Sequence, residues 1–136
     1  MNMNRKKVLL VDDDKVVVRA LTLKLNASGY DVVTAVDGSA AVTAARTEKP
    51  DLILLDISFP ADPSSGLQDG WGIMTWLKRL DEVTQIPIVV ITNSDRTKYE
   101  EKARAAGAAA FFHKGSNHDE LVAIIREALG ETPAAA

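Results

Sequence analysis

Short apolar runs alternate with polar segments along the whole chain. The runs occupy residues 8–11, 32–36, 52–55, 86–91 and 109–112. Three of them are apolar on both faces and rich in Val, Ile and Leu, which is typical of parallel strands covered on both sides. The run at 32–36 contains Thr34 and follows Asp31. This composition better suits a strand at the edge of a sheet.

Segments with the apolar spacing of an α-helix separate the five runs. In the first segment this spacing is shown by Val17, Leu21 and Leu25, and Gly29 ends the helix. The other four helices are predicted at 40–49, around Ile73, Met74, Leu77 and Leu80, at 95–107 and at 116–130. The order is strand, helix, strand, helix throughout, which predicts one α/β domain built on a parallel sheet.

Composition narrows the class of protein. The chain has 136 residues, of which 46% are hydrophobic and 26% charged, and this suits one globular domain. The absence of cysteine excludes disulfides and thiolate metal sites. The net charge is −3 with dispersed basic residues, so no nucleic acid partner is expected. No signal peptide or membrane-spanning stretch is present, and we expect a cytoplasmic protein that binds no membrane.

Four of the predicted strands end in polar residues, and in an open parallel sheet ligands bind outside these carboxyl ends. The residues are Asp12, Asp13 and Asp14 after the first run, Asp56 after the third, Thr92 after the fourth and Lys114 after the fifth. Carboxylates that close together suit Mg²⁺, which keeps open positions for water and phosphate. A lysine balances the charge of a phosphoryl group, and a carboxylate can itself be the nucleophile.

Each of these residues also has an ordinary structural explanation. Asp14 is the expected N-cap of the first helix, Asn117 or its neighbour Ser116 that of the fifth, and Asp69 that of the third. A lone threonine or lysine at a strand end is usually a turn residue or a solvated charge. Both histidines are expected at the surface, and both tryptophans in packing. The combination at four strand ends is what favours a functional site.

With these motifs the chain resembles the receiver domain of bacterial two-component response regulators, the CheY-like family. The matching stretches are VLLVDDD, PDLILLDISFP, IPIVVITNS and AGAAAFFHKG. The resemblance implies a flavodoxin-like, doubly wound, five-stranded parallel sheet with strand order 2-1-3-4-5 and five helices. It implies a single receiver domain over 1–136, with its core at about 7–129, a C-terminal tail at 130–136 and an extended loop at 60–69.

The resemblance assigns a metal site to the carboxylates. Asp13 and Asp56 would contact Mg²⁺ directly, together with the backbone carbonyl of Ser58, and Asp12 would act mainly through water. Magnesium is the expected cofactor, and no organic cofactor is implied.

The resemblance also assigns the chemistry and the switch. Asp56 is the expected phosphoacceptor, and Thr92 and Lys114 act with it in catalysis. Thr92 and Phe111 form the expected switch. Phosphorylation would reshape the face made by the fourth helix, fifth strand and fifth helix.

Partners follow from the same resemblance. A histidine kinase or a phosphotransfer protein would donate the phosphoryl group, and a downstream protein of unknown identity would bind the switched face. A homodimer through that face is a further expectation. The chain would be a signalling phosphoprotein rather than an enzyme, catalysing only its own phosphorylation and dephosphorylation.

Three features depart from the family pattern. The loop at 61–68 is longer than usual, and it is either a mobile flap over the rim or a surface insertion without a role. Asn93 stands where alanine is common. Gly115 follows Lys114 where the family usually has proline. We therefore expect a trans Lys114–Gly115 bond and an unusual backbone torsion at the glycine, with Lys114 still directed toward Asp56.

Other functions remain as alternatives. A receiver-like interaction module that takes no phosphate would be expected to lose some of the rim residues. A haloacid-dehalogenase-like phosphatase would need a hydroxyl residue after its first-strand aspartates, which the segment VDDDK lacks. A flavodoxin would need a glycine- and hydroxyl-rich phosphate loop at this place, where DDDK would repel phosphate.

Overall fold

The computed structural model describes residues 5–57, 70–81, 83–92, 96–115 and 117–131, and at 96–99 it describes the backbone alone. Within these residues, five strands and five helices alternate as predicted. The strands are β1 Lys7–Val11, β2 Asp31–Ala35, β3 Leu52–Asp56, β4 Ile88–Thr92 and β5 Ala110–His113. The helices are α1 Lys15–Ala27, α2 Gly38–Thr47, α3 Gly70–Arg79, α4 Arg96–Ala105 and α5 His118–Ala128. None of these helices combines the length and the apolar character needed to cross a membrane.

All strands pair in parallel in the order β2-β1-β3-β4-β5, so the predicted fold class is confirmed. The register sets Val11 beside Leu55, and Asp56 beside Ile91. The polar residues that follow or end these strands therefore lie at one rim of the sheet. The strand at 31–35 is at the edge, as its composition predicted.

The two faces of the sheet form two hydrophobic cores. Along β1, Val8 and Leu10 face the core shared with α1 and α5, and Leu9 and Val11 face the core shared with α2, α3 and α4. The five residues of β3 are all buried. A central strand covered on both faces has no position left for a solvated side chain, which explains its unbroken apolar run.

Within the described residues, side chains cap helices α1, α2 and α5. Asp14 accepts hydrogen bonds from first-turn backbone N–H groups of α1, and Asn117 does the same for α5, as predicted. Asp37 caps α2, a role that the sequence analysis missed, and α2 consequently begins at Gly38 rather than near residue 40. The predicted cap of α3, Asp69, lies outside the described residues.

The two tryptophans of α3 differ in environment. Trp71 packs against the core beneath α2, α3 and α4, and the ammonium of Lys102 from α4 lies 4.6 Å from the centroid of its ring. Trp76 is 37% exposed, so the expectation that it packs holds only in part.

The first residue of α3 lies directly against the end of β3. A Cβ atom built on Gly70 would lie 2.3 Å from the Cα atom of Ile57 and 2.8 Å from the carbonyl oxygen of Asp56. These neighbours are backbone atoms, which cannot move without displacing the strand end. Only glycine fits this approach, so α3 and the segment that carries Asp56 are held together here.

We expect Gly70→Ala to lower the free energy of unfolding by about 1–3 kcal/mol, because the added methyl group overpacks against backbone. Gly38→Ala is the comparison variant, since its Cβ would meet the side chain of Ile73, at 3.1 Å, and not backbone. We expect it to lose less stability than Gly70→Ala, because a side chain can shift by a few tenths of an ångström where backbone cannot. Urea denaturation measures both variants, and equal losses would contradict the role given to Gly70.

Candidate functional site

The carboxyl ends of the strands bring the predicted rim residues together. Carboxylate oxygens of Asp12, Asp13 and Asp56 lie within 4.8 Å of one another. Thr92, the last residue of β4, is buried beside them. The side chain of Lys114, directly after β5, reaches the same cluster.

The three carboxylates differ in burial. Asp12 is 0% exposed and Asp56 is 1% exposed, whereas Asp13 faces solvent. Burial raises the pKa of Asp12, and the neighbouring charge of Asp56 adds to this, although Lys114 and the backbone N–H of Asp14 act in the opposite direction. That N–H donates to Oδ1 of Asp12 at 2.9 Å. Two buried carboxylates are therefore held close together at an electrostatic cost.

The Lys114 ammonium offsets part of this cost. Its Nζ atom lies 2.8 Å from Oδ2 of Asp12 and 3.0 Å from Oδ2 of Asp56, and its side chain is only 7% exposed. Burial by itself lowers the pKa of this lysine, but its contacts with Asp12 and Asp56 outweigh burial, and the net shift is upward. The amine thus stays protonated between the two carboxylates.

The donor set fits a hard divalent cation. Three carboxylates and one ammonium leave the cluster with an excess of negative charge. Oδ2 of Asp12 has a charged neighbour but no hydrogen-bond donor in an aligned position. Oxygen ligands of this kind, with exposed Asp13 open to solvent, are those that Mg²⁺ prefers. The predicted fourth ligand, Ser58, lies outside the described residues, as do Asn93 and the loop at 61–68.

The backbone directs Lys114 into the cluster. Its N–H donates to the carbonyl oxygen of Thr92 at 2.8 Å, which continues the pairing of β5 with β4. The Lys114–Gly115 peptide bond is trans, as expected. The φ angle of Gly115 lies outside the left-handed region, so the unusual φ that glycine alone would favour is not used here.

His113 is the residue near the site that the sequence analysis underestimated. It was expected to be an ordinary surface residue, yet its Nδ1 atom accepts a hydrogen bond from the backbone N–H of Gly115 at 3.1 Å. The available signal was its spacing, because His113 comes two residues before Gly115 at the end of a strand. This is the spacing at which polar side chains close turns on their own backbone.

Phe111, the expected switch aromatic, is buried in β5. It lines a groove of about 380 Å³ between α4, β5 and α5. Charged residues of both signs border this groove, with Glu100 and Arg104 on α4 and Glu127 on α5. A rearrangement of Phe111 would therefore alter a surface with both apolar and charged features.

Comparison with known proteins agrees with this geometry. A family model described as the response regulator receiver domain matches residues 8–126. The chain is 32% identical over 126 residues to the polar-differentiation response regulator DivK of Brucella anthropi, covering 93% of this chain and 98% of DivK. It is 35% identical over 131 residues to the transcriptional regulatory protein KdpE of Mycobacterium tuberculosis, covering 95% of this chain but 53% of KdpE. The chain thus spans nearly all of one relative and about half of the other.

Solved structures show the same architecture. The BeF₃-activated N-terminal receiver domain of Klebsiella pneumoniae RstA superposes with a TM-score of 0.78 at 30% identity, covering 90% of this chain and 97% of that one. The chemotaxis response regulator CheY4 of Vibrio cholerae superposes with a TM-score of 0.80 at 24% identity, covering 92% and 99%, which shows the fold alone. From the matched domain, the relatives and the fold together, the chain belongs to the response regulator receiver domain family.

Proposed function

We propose that this receiver is the phosphoacceptor of a two-component phosphorelay and that Asp56 is its site of phosphorylation. The observation that carries the proposal is the buried Lys114 ammonium, which bridges Asp56 and Asp12 inside the carboxylate cluster. An oxygen of Asp56 attacks the phosphorus atom of a phosphohistidine. The P–N bond breaks, its electron pair returns to the imidazole nitrogen, and an aspartyl phosphate forms.

The surrounding residues stabilise this transfer by position and charge. The Lys114 ammonium already lies 3.0 Å from Asp56, where it can balance charge on the phosphoryl oxygens. The hydroxyl of Thr92 is placed at the adjacent strand end to donate a hydrogen bond to one of them. Thr92 ends strand β4 and Lys114 directly follows strand β5, so little reorganisation is needed as charge develops.

Magnesium fits the same cluster. Asp12, Asp13 and Asp56 would hold the ion, with the carbonyl of Ser58 as the further ligand that the resemblance implies. When bound, the ion offsets the negative charge of the carboxylates and of the incoming phosphoryl group. Asp13 is the exposed member of the cluster, and it gives the ion a route from solvent.

Helix α4 is suited to move when Asp56 is modified. Of its described side chains, at 100–105, only Ala103 is buried, whereas α3 buries Ile73, Met74 and Leu77. A phosphoryl group adds a charge of about −1.5 to −2. That charge attracts the Lys114 ammonium and the hydroxyl of Thr92. The environment of Phe111 then changes, and helix α4 shifts in response.

The proposed partners follow from these two regions. A histidine kinase or phosphotransfer protein delivers the phosphoryl group at the rim, and a downstream protein, or a second copy of the chain, binds the face made by α4, β5 and α5. Residues at about 7–129 act as one receiver domain in the cytoplasm. The domain works as a signalling element that catalyses only its own phosphorylation and dephosphorylation, without binding nucleic acid or membrane.

The first test is phosphorylation in vitro. With acetyl phosphate and Mg²⁺, we expect the intact mass of the wild type to rise by one phosphoryl group and that of Asp56→Asn to stay unchanged. Asp14→Asn is the matched control, because asparagine keeps the cap of α1, and it should react like the wild type.

Equal incorporation by Asp56→Asn and wild type would overturn the assignment. A wild type that responds neither to acetyl phosphate nor to beryllofluoride would instead support the receiver-like interaction module that takes no phosphate.

The metal site gives a second prediction. Asp13→Ala and Asp56→Ala should each weaken Mg²⁺ binding at least about tenfold, the equivalent of about 1.4 kcal/mol, as measured by titration calorimetry. Without metal, Asp13→Ala should raise the melting temperature, because it removes like-charge repulsion. Asp14→Ala should lose about 1 kcal/mol of stability from the helix cap but keep its metal affinity. Loss of binding in Asp14→Ala alone would show that the wrong aspartates were assigned.

Hydrogen exchange tests the proposed mobility of α4. Because residues 100–105 of α4 bury only Ala103, we expect their backbone amides to exchange faster than those of α3 and α5 in the unmodified protein. Saturation with beryllofluoride and Mg²⁺ should change exchange in α4 and β5 more than in α1 and α2. An α4 as protected as α3, with no response to beryllofluoride, would contradict the switch.

A further inference from the structure

The turn after β5 contains a hydrogen bond between the backbone of Gly115 and the side chain of His113. We propose that His113 is a positioning residue: its imidazole closes the turn around Lys114 and so holds the ammonium between Asp12 and Asp56. The inference rests on the proposed function, in which Lys114 assists phosphoryl transfer to Asp56.

The geometry of the turn carries this assignment. The backbone N–H of Gly115 donates to Nδ1 of His113 at 3.1 Å, so a hydrogen bond spans Lys114 from the residue before it to the residue after it. The imidazole also lies tightly over the glycine, because a Cβ atom built there would be 3.1 Å from Cε1 and 3.2 Å from Nδ1. A bond from the backbone N–H of one residue to a side chain two residues earlier is the pattern by which asparagine and aspartate form turns.

Both backbone donors of the turn are thereby engaged. The N–H of Lys114 is bound to the carbonyl oxygen of Thr92, and that of Gly115 to His113. Lysine has a long flexible stem, and holding its ammonium at one place costs conformational entropy. Because the backbone on either side of Lys114 is held, the direction of its Cα–Cβ bond is set, and only the side-chain torsions remain to be ordered when the ammonium meets Asp56.

The glycine makes this contact available. A proline at 115 would have no backbone N–H to donate, and its side-chain atoms would meet the imidazole. The hydrogen bond from Gly115 therefore supplies the restraint that a proline ring would otherwise impose on the turn. One further consequence follows: if Nδ1 accepts the hydrogen bond, the proton of the neutral imidazole is on Nε2.

Two substitutions separate the hydrogen bond from simple packing. His113→Phe keeps a ring of similar size but removes the acceptor. His113→Asn keeps an acceptor that can reach the N–H two residues later. With acetyl phosphate at saturating Mg²⁺, we expect His113→Phe to be phosphorylated about three- to tenfold more slowly than the wild type, the effect of one lost hydrogen bond. We expect His113→Asn to stay within about twofold.

A double-mutant cycle shows whether His113 acts through Lys114. In a Lys114→Met background, His113→Phe should cause no further loss of rate, because the group it positions is gone. A long-range proton–nitrogen spectrum of the wild type should show Nε2 protonated and Nδ1 unprotonated. Thermal melts of each variant exclude loss of the fold as the cause.

The proposal would be overturned by His113→Phe reacting at the wild-type rate, by equal slowing in both backgrounds, or by His113→Asn being as slow as His113→Phe. A wild type that takes no phosphoryl group would refute the proposed function instead. In that case the spectrum alone tests the hydrogen bond from Gly115 to His113, and a proton on Nδ1 would refute it.

Discussion

The site depends on one electrostatic constraint, the confinement of two buried carboxylates beside a single buried ammonium. Asp12 and Asp56 are almost fully removed from solvent, and Lys114 contacts both at 2.8 and 3.0 Å. Ionised groups in such a place are costly unless they are paired, and here one positive charge is shared by two negative ones with a third carboxylate nearby. The cluster therefore carries an excess of negative charge, and binding a divalent cation would offset it. The cation and Lys114 together could then also balance the charge of a phosphoryl group.

The elements around the cluster hold Asp56 in place. The central strand β3 is buried throughout its length and ends at Asp56, so the backbone that carries this carboxylate is held within the sheet. Gly70 allows α3 to begin against that strand end with no side chain between them. On the opposite side, the described part of α4 at 100–105 buries only Ala103. Rigidity under the reacting carboxylate and weak anchoring on the responding side are what a local charge change needs to produce a distant effect.

Much of the fold could be predicted from the sequence, for physical reasons. Apolar runs and helical spacing report burial directly, and all five strands and five helices lie close to their predicted positions. Strand order could not be obtained this way, because periodicity records which faces are buried and not which strands are neighbours. It came from the resemblance, and the structure confirms it. Trp76 packs only in part, because a tryptophan of an amphipathic helix can lie at the border of the buried face.

The site was predictable to the extent that it depends on strand ends. The rim aspartates, Thr92 and Lys114 were identified as candidates because parallel strands end at one edge, and the structure brings them together. His113 was not, since its contact depends on the conformation of a turn in which the glycine N–H faces the ring. Asp37 was missed for a similar reason. The capping residue is the one whose side chain meets the first backbone N–H groups of the helix, and several polar residues near the start of α2 are of a type that can cap.

We propose that its place beside the buried Lys114 ammonium makes Asp56 the reacting carboxylate of the cluster. Borohydride reduces an acyl phosphate to an alcohol, which converts a phosphorylated aspartate to homoserine and marks its position in a peptide map. After treatment with acetyl phosphate and Mg²⁺, we expect homoserine at position 56 and unchanged aspartate at 12 and 13. Homoserine at Asp12 or Asp13, with Asp56 left intact, would contradict it.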